Sequence, residues 1–329
     1  MTSDRIARSA SRAVAVAAAA AAVLAAVFGV AGCAMTPAPV SATGRVRVVA
    51  VENFWGSLAA QLGGDHADVT SIIARPATDP HDYEPSGPDA VHLAGAQLAI
   101  VNGVGYDAWA TKIVTVDRDP GRLVLTVGDV VGVAPGGNPH RWYSPTDVRR
   151  VIDRITADYQ RIDPANAAYF ARQHDVVVNS DLRQYFGLID DIRARYAGTP
   201  VGASESIFAP LAEATGLDLI SPPSFLHTIS EGGEPTAADK ATIDAQISER
   251  KIKVYVYNSQ NATPDVQRQV DAAKAAGIPV TTITETLSPA GASFEQWQVR
   301  QLIALRNALA ASDPLDQPMT TPSPAPSGK

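Results

Sequence analysis

Hydrophobic and polar positions between residues 45 and 312 form two kinds of segment that alternate along the chain. Short apolar runs are typical of buried strands, and between them apolar residues recur at the helical spacing i, i+4, as in Phe54, Leu58 and Leu62. Because strands alternate with helices, the pattern predicts parallel sheets covered by helices. The strand-like runs are RVRVVAV (45–51), VTSII (69–73), LAIVN (98–102) and RLVLTV (122–127), then TPVGA (199–203), LDLI (217–220), IKVYVYN (252–258) and IPVTTI (278–283).

A longer helical stretch separates the first four runs from the last four. A helix is predicted to begin after Ser144, with Asp147 completing a capping box, and helical spacing resumes after Pro164 and continues to about Tyr196. About 30 residues of helix would span about 45 Å, enough to cross the molecule. We therefore predict an α/β fold of two lobes, each a mostly parallel sheet covered by helices, joined by one long inter-lobe helix. The predicted segments are an N-terminal lobe (45–160), a connecting helix (161–197) and a C-terminal lobe (198–312).

The N-terminus has the pattern of a secretory signal. Three arginines precede an uncharged, alanine-rich stretch at 13–32, which ends at the only cysteine, Cys33. The sequence VAGC resembles a bacterial lipobox, so Cys33 is the predicted lipidation site; the alternative is a plain membrane anchor, since 20 uncharged residues can span a bilayer. We expect an extracytoplasmic protein that is lipid-anchored to the cell membrane. The predicted parts outside the lobes are a signal peptide (1–32), a tether (33–44) and a disordered tail (313–329).

Composition excludes several classes of function. The chain of 329 residues has a net charge of −7 and no cluster of Lys or Arg, which argues against nucleic acid and favours cationic partners. Once Cys33 is lipidated, no thiol remains for a disulfide or a thiolate metal site. The chain also lacks a Gly-rich phosphate loop, a G-x-S-x-G motif and an H-E-x-x-H motif. We expect a monomer without enzymatic activity.

Four side chains follow predicted strands, in the loops where parallel α/β sheets bind ligands. In the first lobe, His81 follows VTSII and His140 follows RLVLTV. In the second lobe, Glu205 follows TPVGA and Glu285 follows IPVTTI. Imidazoles together with carboxylates suit Zn²⁺, Mn²⁺ or Fe²⁺, and two carboxylates favour the harder ions. Each glutamate taken alone also fits a helix-start residue that complements the helix dipole, and that alternative stays open.

The remaining histidines are interpreted separately. His66, His92 and His174 are expected to be structural. His227 lies in a predicted loop, PPSFLHTISEGGEP, and is a weak candidate for an accessory ligand.

Several stretches resemble the substrate-binding proteins of bacterial zinc and manganese ABC transporters, the TroA/ZnuA-like solute-binding protein family 9. The resemblance covers residues 45–311 and implies one divalent transition metal, Zn²⁺ or Mn²⁺ with Fe²⁺ as a further candidate, bound by His81, His140, Glu205 and Glu285 between the lobes. It also implies delivery of the metal to a membrane permease driven by an ATPase. The stretches that resemble the family's four ligand segments are TDPHDYEPSGPD (78–89), NPHRWYSP (138–145), SESIFAPLAEATGL (204–217) and GIPVTTITETLSPAG (277–291).

The sequence departs from the family pattern in its third and fourth ligands. Zinc-preferring members tend to have His where Glu205 stands and manganese-preferring members tend to have Glu, while Glu285 replaces the usual Asp. The His-rich acidic loop of many zinc members is missing, so a second metal site is not expected. Three alternatives remain: a receptor of the same fold for a chelated or organic ligand, a metallohydrolase with Glu285 freed as its base, and an adhesion lipoprotein.

Overall fold

The computed structural model describes residues 44–75 and 83–312. Single turns of 3-10 helix lie at Gly64–His66, Arg141–Tyr143, Pro164–Asn166 and Ser206–Phe208. The elements are, in chain order, β1 (Val46–Glu52), α1 (Asn53–Gly63), β2 (Ala67–Ile73), α2 (Gly87–Gly95), β3 (Leu98–Val101), α3 (Ala108–Val116), β4 (Leu123–Thr126), α4 (Val127–Val131), α5 (Pro145–Ile162), α6 (Ala167–Val176), α7 (Arg183–Tyr196), β5 (Pro200–Ala203), α8 (Ala209–Thr215), β6 (Asp218–Leu219), α9 (Pro223–Ser230), α10 (Ala237–Ser248), β7 (Val254–Asn258), α11 (Pro264–Ala275), β8 (Val280–Ile283) and α12 (Phe294–Ser312).

Two four-stranded sheets form the two lobes. Their strand orders are β2-β1-β3-β4 and β6-β5-β7-β8, and every pairing is parallel. The orders are equivalent, because in each sheet the chain reverses its direction of travel across the sheet after the second strand. Such reversals open a crevice at the carboxyl ends of the first and third strands, where α/β sheets bind ligands. The predicted fold class is confirmed.

Burial follows the apolar pattern of the sequence. Every residue of β1 except Arg47 is buried, and all four residues of β3 are buried. On α1, Phe54, Leu58 and Leu62 face the core and are 0% exposed. Each fully buried side chain of this size stabilises the fold by about 1.5–3 kcal/mol, so the helical spacing in the sequence marks the face that packs on the sheet.

The connecting helical stretch contains a π-helical turn. α6 and α7 are separated by a π-helical turn at Val177–Asp181, closed by a hydrogen bond from Leu182 N–H to the Val177 carbonyl at 2.9 Å. In a regular α-helix Val177 and Leu182 would point about 140° apart. The wider turn takes up the additional residue and leaves both side chains in the core.

A complete capping box starts α2, whereas the predicted box at α5 is incomplete. At α2 the Asp89 carboxylate accepts from the Ser86 N–H and hydroxyl, both at 2.7 Å. At α5 the Ser144 hydroxyl accepts from Asp147 N–H at 3.4 Å, but the Asp147 carboxylate pairs with Arg141. The box at α5 is therefore only half formed, because a guanidinium is a stronger partner for a carboxylate than a backbone N–H.

Six of the eight strands are shorter than predicted, and the differences at β4 and β6 show why. β4 ends at Thr126, and Val127 already begins the short helix α4, where Gly128 N–H donates to the Asn102 carbonyl at 3.0 Å. β6 contains only Asp218 and Leu219, because it is an edge strand paired on one side. Both differences lie at strand ends, where apolar runs continue past the last ladder hydrogen bond.

The last helix packs on both lobes. Phe54 of α1 stacks on Trp142 with ring centroids 4.1 Å apart, and Trp297 of α12 lies 6.4 Å from Phe54. The Phe294 N–H donates to the Ser57 hydroxyl at 2.9 Å. α12 therefore completes the core of the first lobe although it follows the strands of the second.

Several predictions concern residues outside the described ranges. These are Cys33, the signal peptide, the tether, the tail and His81. Within residues 44–75 and 83–312, no helix combines the length and the apolar character needed to cross a membrane.

Candidate metal centre

Three of the four predicted ligands are buried at the carboxyl ends of the sheets. His140 is 0% exposed, and Glu205 and Glu285 are each 1% exposed. Glu205 and Glu285 stand two residues after β5 and β8, and His140 immediately precedes a 3-10 turn. The His140 Nε2 atom lies 3.5 Å from Glu285 Oε1. The structure thus brings an imidazole of the first lobe against a carboxylate of the second.

Hydrogen bonds fix both oxygens of Glu285. Asn258 Nδ2, at the end of β7, donates to Oε1 at 3.0 Å, and Tyr106 Oη donates to Oε2 at 2.8 Å. The backbone N–H of Glu285 donates to Gln260 Oε1 at 2.6 Å. Such donors compensate a buried carboxylate and fix the direction of a metal ligand. Since Tyr106 follows β3, its bond to Glu285 also joins the lobes.

His140 is oriented by an amide and surrounded by aromatic rings. Its Nδ1 atom lies 2.8 Å from Asn138 Oδ1, so its Nε2 faces Glu285. The ring centroids of Tyr106 and Trp142 lie 5.9 and 5.2 Å from that of His140, both edge-on. This packing leaves the imidazole little freedom to turn.

Glu205 is held by a serine hydroxyl of α9. Ser230 Oγ, in the last turn of α9, donates to Glu205 Oε2 at 3.3 Å. The same Ser230 Oγ accepts from Ser206 N–H at 3.0 Å. Ser230 therefore ties both Glu205 and the residue that follows it to α9.

The described residues contain only part of the predicted ligand set. Within residues 44–75 and 83–312, no group of three or more His, Cys, Asp or Glu side chains is close enough to hold a metal ion. The structure supplies the His140–Glu285 pair, with Glu205 in a neighbouring loop, while His81 lies outside the described ranges. The full set of four remains a prediction.

Three other described histidines have surroundings of their own. His227 was predicted in a loop but lies on α9 with an exposed side chain, because Pro223 at the first helical position starts a helix there. His66 packs on the Tyr169 ring with centroids 4.3 Å apart. His174 Nε2 lies 2.7 Å from Asp153 Oδ1, at the surface.

Sequence reasoning missed the neutral residues that hold the ligands. Tyr106, Asn138 and Asn258 all lie in loops or strand ends on the same edge of the sheets as the predicted ligands. A search for hydrogen-bond donors at strand ends, in addition to metal-binding residue types, would have found Asn258 and Tyr106.

Sequence reasoning also missed a buried carboxyl pair near β1. Glu52 and Asp107 are 0% and 1% exposed, and Asp107 accepts from the N–H groups of Asn102 and Gly103 at 2.7 and 2.8 Å. Burial raises the pKa of Asp107 to about 6, although these N–H groups oppose the rise. Burial, and then the charge of Asp107, raise the pKa of Glu52 well above its usual value. Because two backbone N–H groups stabilise the Asp107 carboxylate, Glu52 is the side chain of the pair that holds a proton and donates it to Asp107 in a hydrogen bond.

Several named relatives align with the lobes described above. The zinc-binding lipoprotein AdcA of Streptococcus pneumoniae (strain ATCC BAA-255 / R6) is 24% identical over 291 residues, covering 78% of this chain and 54% of AdcA. The manganese-binding lipoprotein MntA of Halalkalibacterium halodurans is 25% identical over 200 residues, covering 58% of this chain and 65% of MntA. The iron-binding protein YfeA of Yersinia pestis is 30% identical over 137 residues, covering 39% of this chain and 43% of YfeA. The chain thus spans about half the length of the AdcA relative that it matches.

Solved structures and a family profile agree with the fold. A Mn-bound periplasmic metal binding protein from Candidatus Liberibacter asiaticus superposes with a TM-score of 0.66 at 20% identity, covering 80% of this chain and 100% of that chain. The protein FpvC of P. aeruginosa, in complex with Ni²⁺, gives a TM-score of 0.67 at 23% identity, covering 82% of this chain and 98% of that chain. The profile of the family described as zinc-uptake complex component A periplasmic (ZnuA) matches residues 48–308. Because that match spans both lobes and most of the chain, this protein belongs to the ZnuA family.

Proposed function

We propose that this protein is an extracytoplasmic substrate-binding protein that captures one divalent transition metal and delivers it to the permease of an ABC importer. The observation that carries the proposal is the buried pair of His140 and Glu285, contributed by different lobes and 3.5 Å apart. Glu205 in the neighbouring loop and His81 complete the proposed ligand set. Membership of the ZnuA family supports this function.

The proposed ligands suit the charge of the ion. Two carboxylates and two neutral imidazoles carry a formal charge of −2, which cancels the charge of the ion and lowers the cost of enclosing it in a dry cleft. The histidines must be neutral to coordinate, so metal affinity should fall in acid.

The choice of metal is proposed from the ligand types. The relatives AdcA, MntA and YfeA are described as binding zinc, manganese and iron respectively, so family membership alone leaves the metal open. Two carboxylates beside two imidazoles favour harder ions than an all-histidine site does. We propose Mn²⁺ and Zn²⁺ as the transported ions, with Fe²⁺ as a further candidate.

The location and partners are proposed from the N-terminus and the family. A lipid on Cys33 would hold the protein at the outer face of the cell membrane, where it meets a permease and its ATPase. AdcA and MntA carry the word lipoprotein in their names, which supports this anchor.

Direct metal binding tests the proposal. Native mass spectrometry and calorimetry of residues 34–329 with Zn²⁺, Mn²⁺ and Fe²⁺ should show one ion per chain. His140→Ala and Glu285→Gln should each weaken binding about 10- to 100-fold or more, because each removes a ligand or its charge. His174→Ala serves as the matched control, since His174 is a surface histidine paired with Asp153. A chain that binds no metal, or a control that loses affinity as the ligand variants do, refutes the site.

Glu205 provides a test of metal preference. Glu205→His replaces a hard oxygen ligand by a softer nitrogen ligand, so the ratio of Zn²⁺ to Mn²⁺ affinity should rise. Competition calorimetry measures this ratio. An unchanged ratio means that Glu205 is not a ligand, even if the chain binds metal elsewhere.

A further inference from the structure

Asn138 contacts both lobes next to two of the proposed ligands. It lies two residues before His140, in the loop between α4 and α5 of the first lobe. Its Nδ2 atom donates to the main-chain carbonyl of Ser206 in the second lobe at 2.7 Å. Ser206 directly follows Glu205. A half-buried amide at this position can therefore act on both ligand loops at once.

The contacts of Asn138 determine how its amide is turned. Its Oδ1 atom accepts from the backbone N–H of His140 at 3.0 Å, which only an oxygen can do. Its Nδ2 atom donates a hydrogen bond to the Ser206 carbonyl, and an oxygen in that place could not donate. Two independent partners thus fix the same orientation of the amide.

This orientation determines the tautomer of His140. The His140 Nδ1 atom lies 2.8 Å from Asn138 Oδ1, and an amide oxygen has no proton to give. Nδ1 must therefore carry the hydrogen. In the neutral ring the lone pair is then on Nε2, the nitrogen that faces Glu285.

The hydrogen bonds continue from Ser206 to Glu205. The hydroxyls of Ser206 and Ser230 lie 2.7 Å apart, and Ser230 Oγ donates to Glu205 Oε2 at 3.3 Å. A path of hydrogen bonds through Asn138, Ser206 and Ser230 thus joins a ligand of one lobe to a ligand of the other. On its own side, the loop of His140 is held by Asn102 Nδ2, which donates to the Pro139 carbonyl at 3.0 Å.

We propose that Asn138 is a positioning residue that latches the cleft: its oxygen selects the nitrogen of His140 that faces the metal, and its nitrogen ties the loop of His140 to the loop of Glu205. The metal-binding part of this inference rests on the proposed function, whereas the latch itself is a property of the metal-free protein. The bond to Ser206 must break before the two ligand loops can separate, so it should slow the exit of a captured ion.

Two substitutions separate the two parts of the latch. Asn138→Asp keeps an oxygen for His140 but places a second oxygen against the Ser206 carbonyl, so only the link between the loops is lost. Asn138→Ala removes both contacts. Asn166→Ala is the matched control, because Asn166 Nδ2 donates to Asp163 Oδ2 at 2.7 Å, in the 3-10 turn before α6.

The first measurements use the full chain without metal at pH 8. In Asn138→Asp, amide hydrogen exchange in segments 134–140 and 204–210 should accelerate roughly 2- to 10-fold, the range expected for one hydrogen bond, while the ¹⁵N shifts of the His140 ring keep the Nδ1–H signature. In Asn138→Ala, the exchange should accelerate and the ring signature should also change. If the Asp variant exchanges at the native rate, the link between the two ligand loops is refuted. If the Ala variant keeps the native ring signature, the selection of the His140 tautomer is refuted. A control that behaves like the Asp variant overturns the latch.

The last measurement follows the release of Zn²⁺ into excess chelator by stopped flow. Both Asn138 variants should release the ion faster than the native chain, and the control should not. Native release rates in both variants overturn the effect on metal exit. If the native chain binds none of Zn²⁺, Mn²⁺ and Fe²⁺, the proposed function is refuted, and the metal-free exchange and ring signatures still decide whether the latch exists.

Discussion

Replacing Glu52 by Gln should stabilise the metal-free protein at neutral and alkaline pH. Glu52 and Asp107 are buried together, and the native pKa of each carboxyl is raised above its usual value, chiefly by burial. A glutamine side chain at this position cannot ionise, but its amide still offers a donor to Asp107. The substitution therefore keeps the hydrogen bond and removes the need to hold a proton.

The sign of the effect follows from proton linkage. When a native carboxyl has a raised pKa, the native state binds more protons than the unfolded state, so the free energy of unfolding decreases as the pH rises between the two pKa values. For Asp107 the pKa moves from 3.8 to about 6, which corresponds to about 3 kcal/mol lost over that range. The pKa of Glu52 is raised in the same direction, by burial and by the charge of Asp107, so its ionisation at high pH lowers the free energy of unfolding further.

Urea unfolding of the Glu52→Gln variant, with chelator present, measures this difference from pH 4 to pH 9. Relative to the native chain, the variant should gain stability as the pH rises, because only the native chain must then either hold a proton on Glu52 or bury a second charge beside Asp107. Glu52→Ala is the comparison, because it removes the donor and leaves a cavity, and it should be less stable than Glu52→Gln at every pH. A Gln variant that is less stable than the native chain at pH 8 would mean that Glu52 is not the proton donor.

Three further substitutions test the fold by urea unfolding. Gly103→Ala should lower the free energy of unfolding by about 2–4 kcal/mol, because Gly103 has a φ of +70° and a methyl there would stand 2.6 Å from the side chain of Thr126. A decrease of less than about 1 kcal/mol would contradict this. Tyr143→Phe should cost about 1–3 kcal/mol, because the Tyr143 hydroxyl donates to the buried Thr284 carbonyl at 2.8 Å; an unchanged midpoint would show that water replaces it. Asp89→Ala should lower the free energy of unfolding by about 1 kcal/mol at pH 7 and by less in acid. Burial alone would raise the pKa of Asp89, but hydrogen bonds from Ser86 lower it below its usual value. The stability that the Asp89 carboxylate contributes is therefore lost as the pH falls through that lowered pKa. An equal cost at pH 7 and pH 3 would refute the assignment of this effect to the charge.

The sequence predicted the lobes because their determinants are local. The apolar runs of β1, β3 and β7 stand out against polar loops, and the helical spacing of Phe54 and Leu58 marks the buried face of α1. The rule that ligands follow strand ends then placed His140 and Glu285 in loops that the structure brings together. The local pattern of apolar residues was sufficient to predict an element wherever the buried face of that element follows from its own sequence.

The contacts that hold the site could not be predicted in this way. Tyr106 and Glu285 are 179 residues apart in the chain, and their hydrogen bond exists only because two lobes meet. In the sequence Asn138 has no feature that separates it from other loop residues, because its contact is with a carbonyl 68 residues away. Glu52 continues an apolar strand and precedes a helix, so its burial beside Asp107 follows from packing and not from any periodicity in the sequence.

The position of α12 has a consequence for synthesis and folding. α12 is the last described helix to leave the ribosome, yet its Phe294 N–H bonds to Ser57 and its Trp297 packs near Phe54, across more than 230 residues of chain. The core of the first lobe therefore stays open until residues 294–312 have been made, and contacts of such long range slow folding. A nascent chain of this protein should keep its aromatic surface accessible for most of its synthesis, a state that chaperones and export machinery can bind before the last helix closes the first lobe.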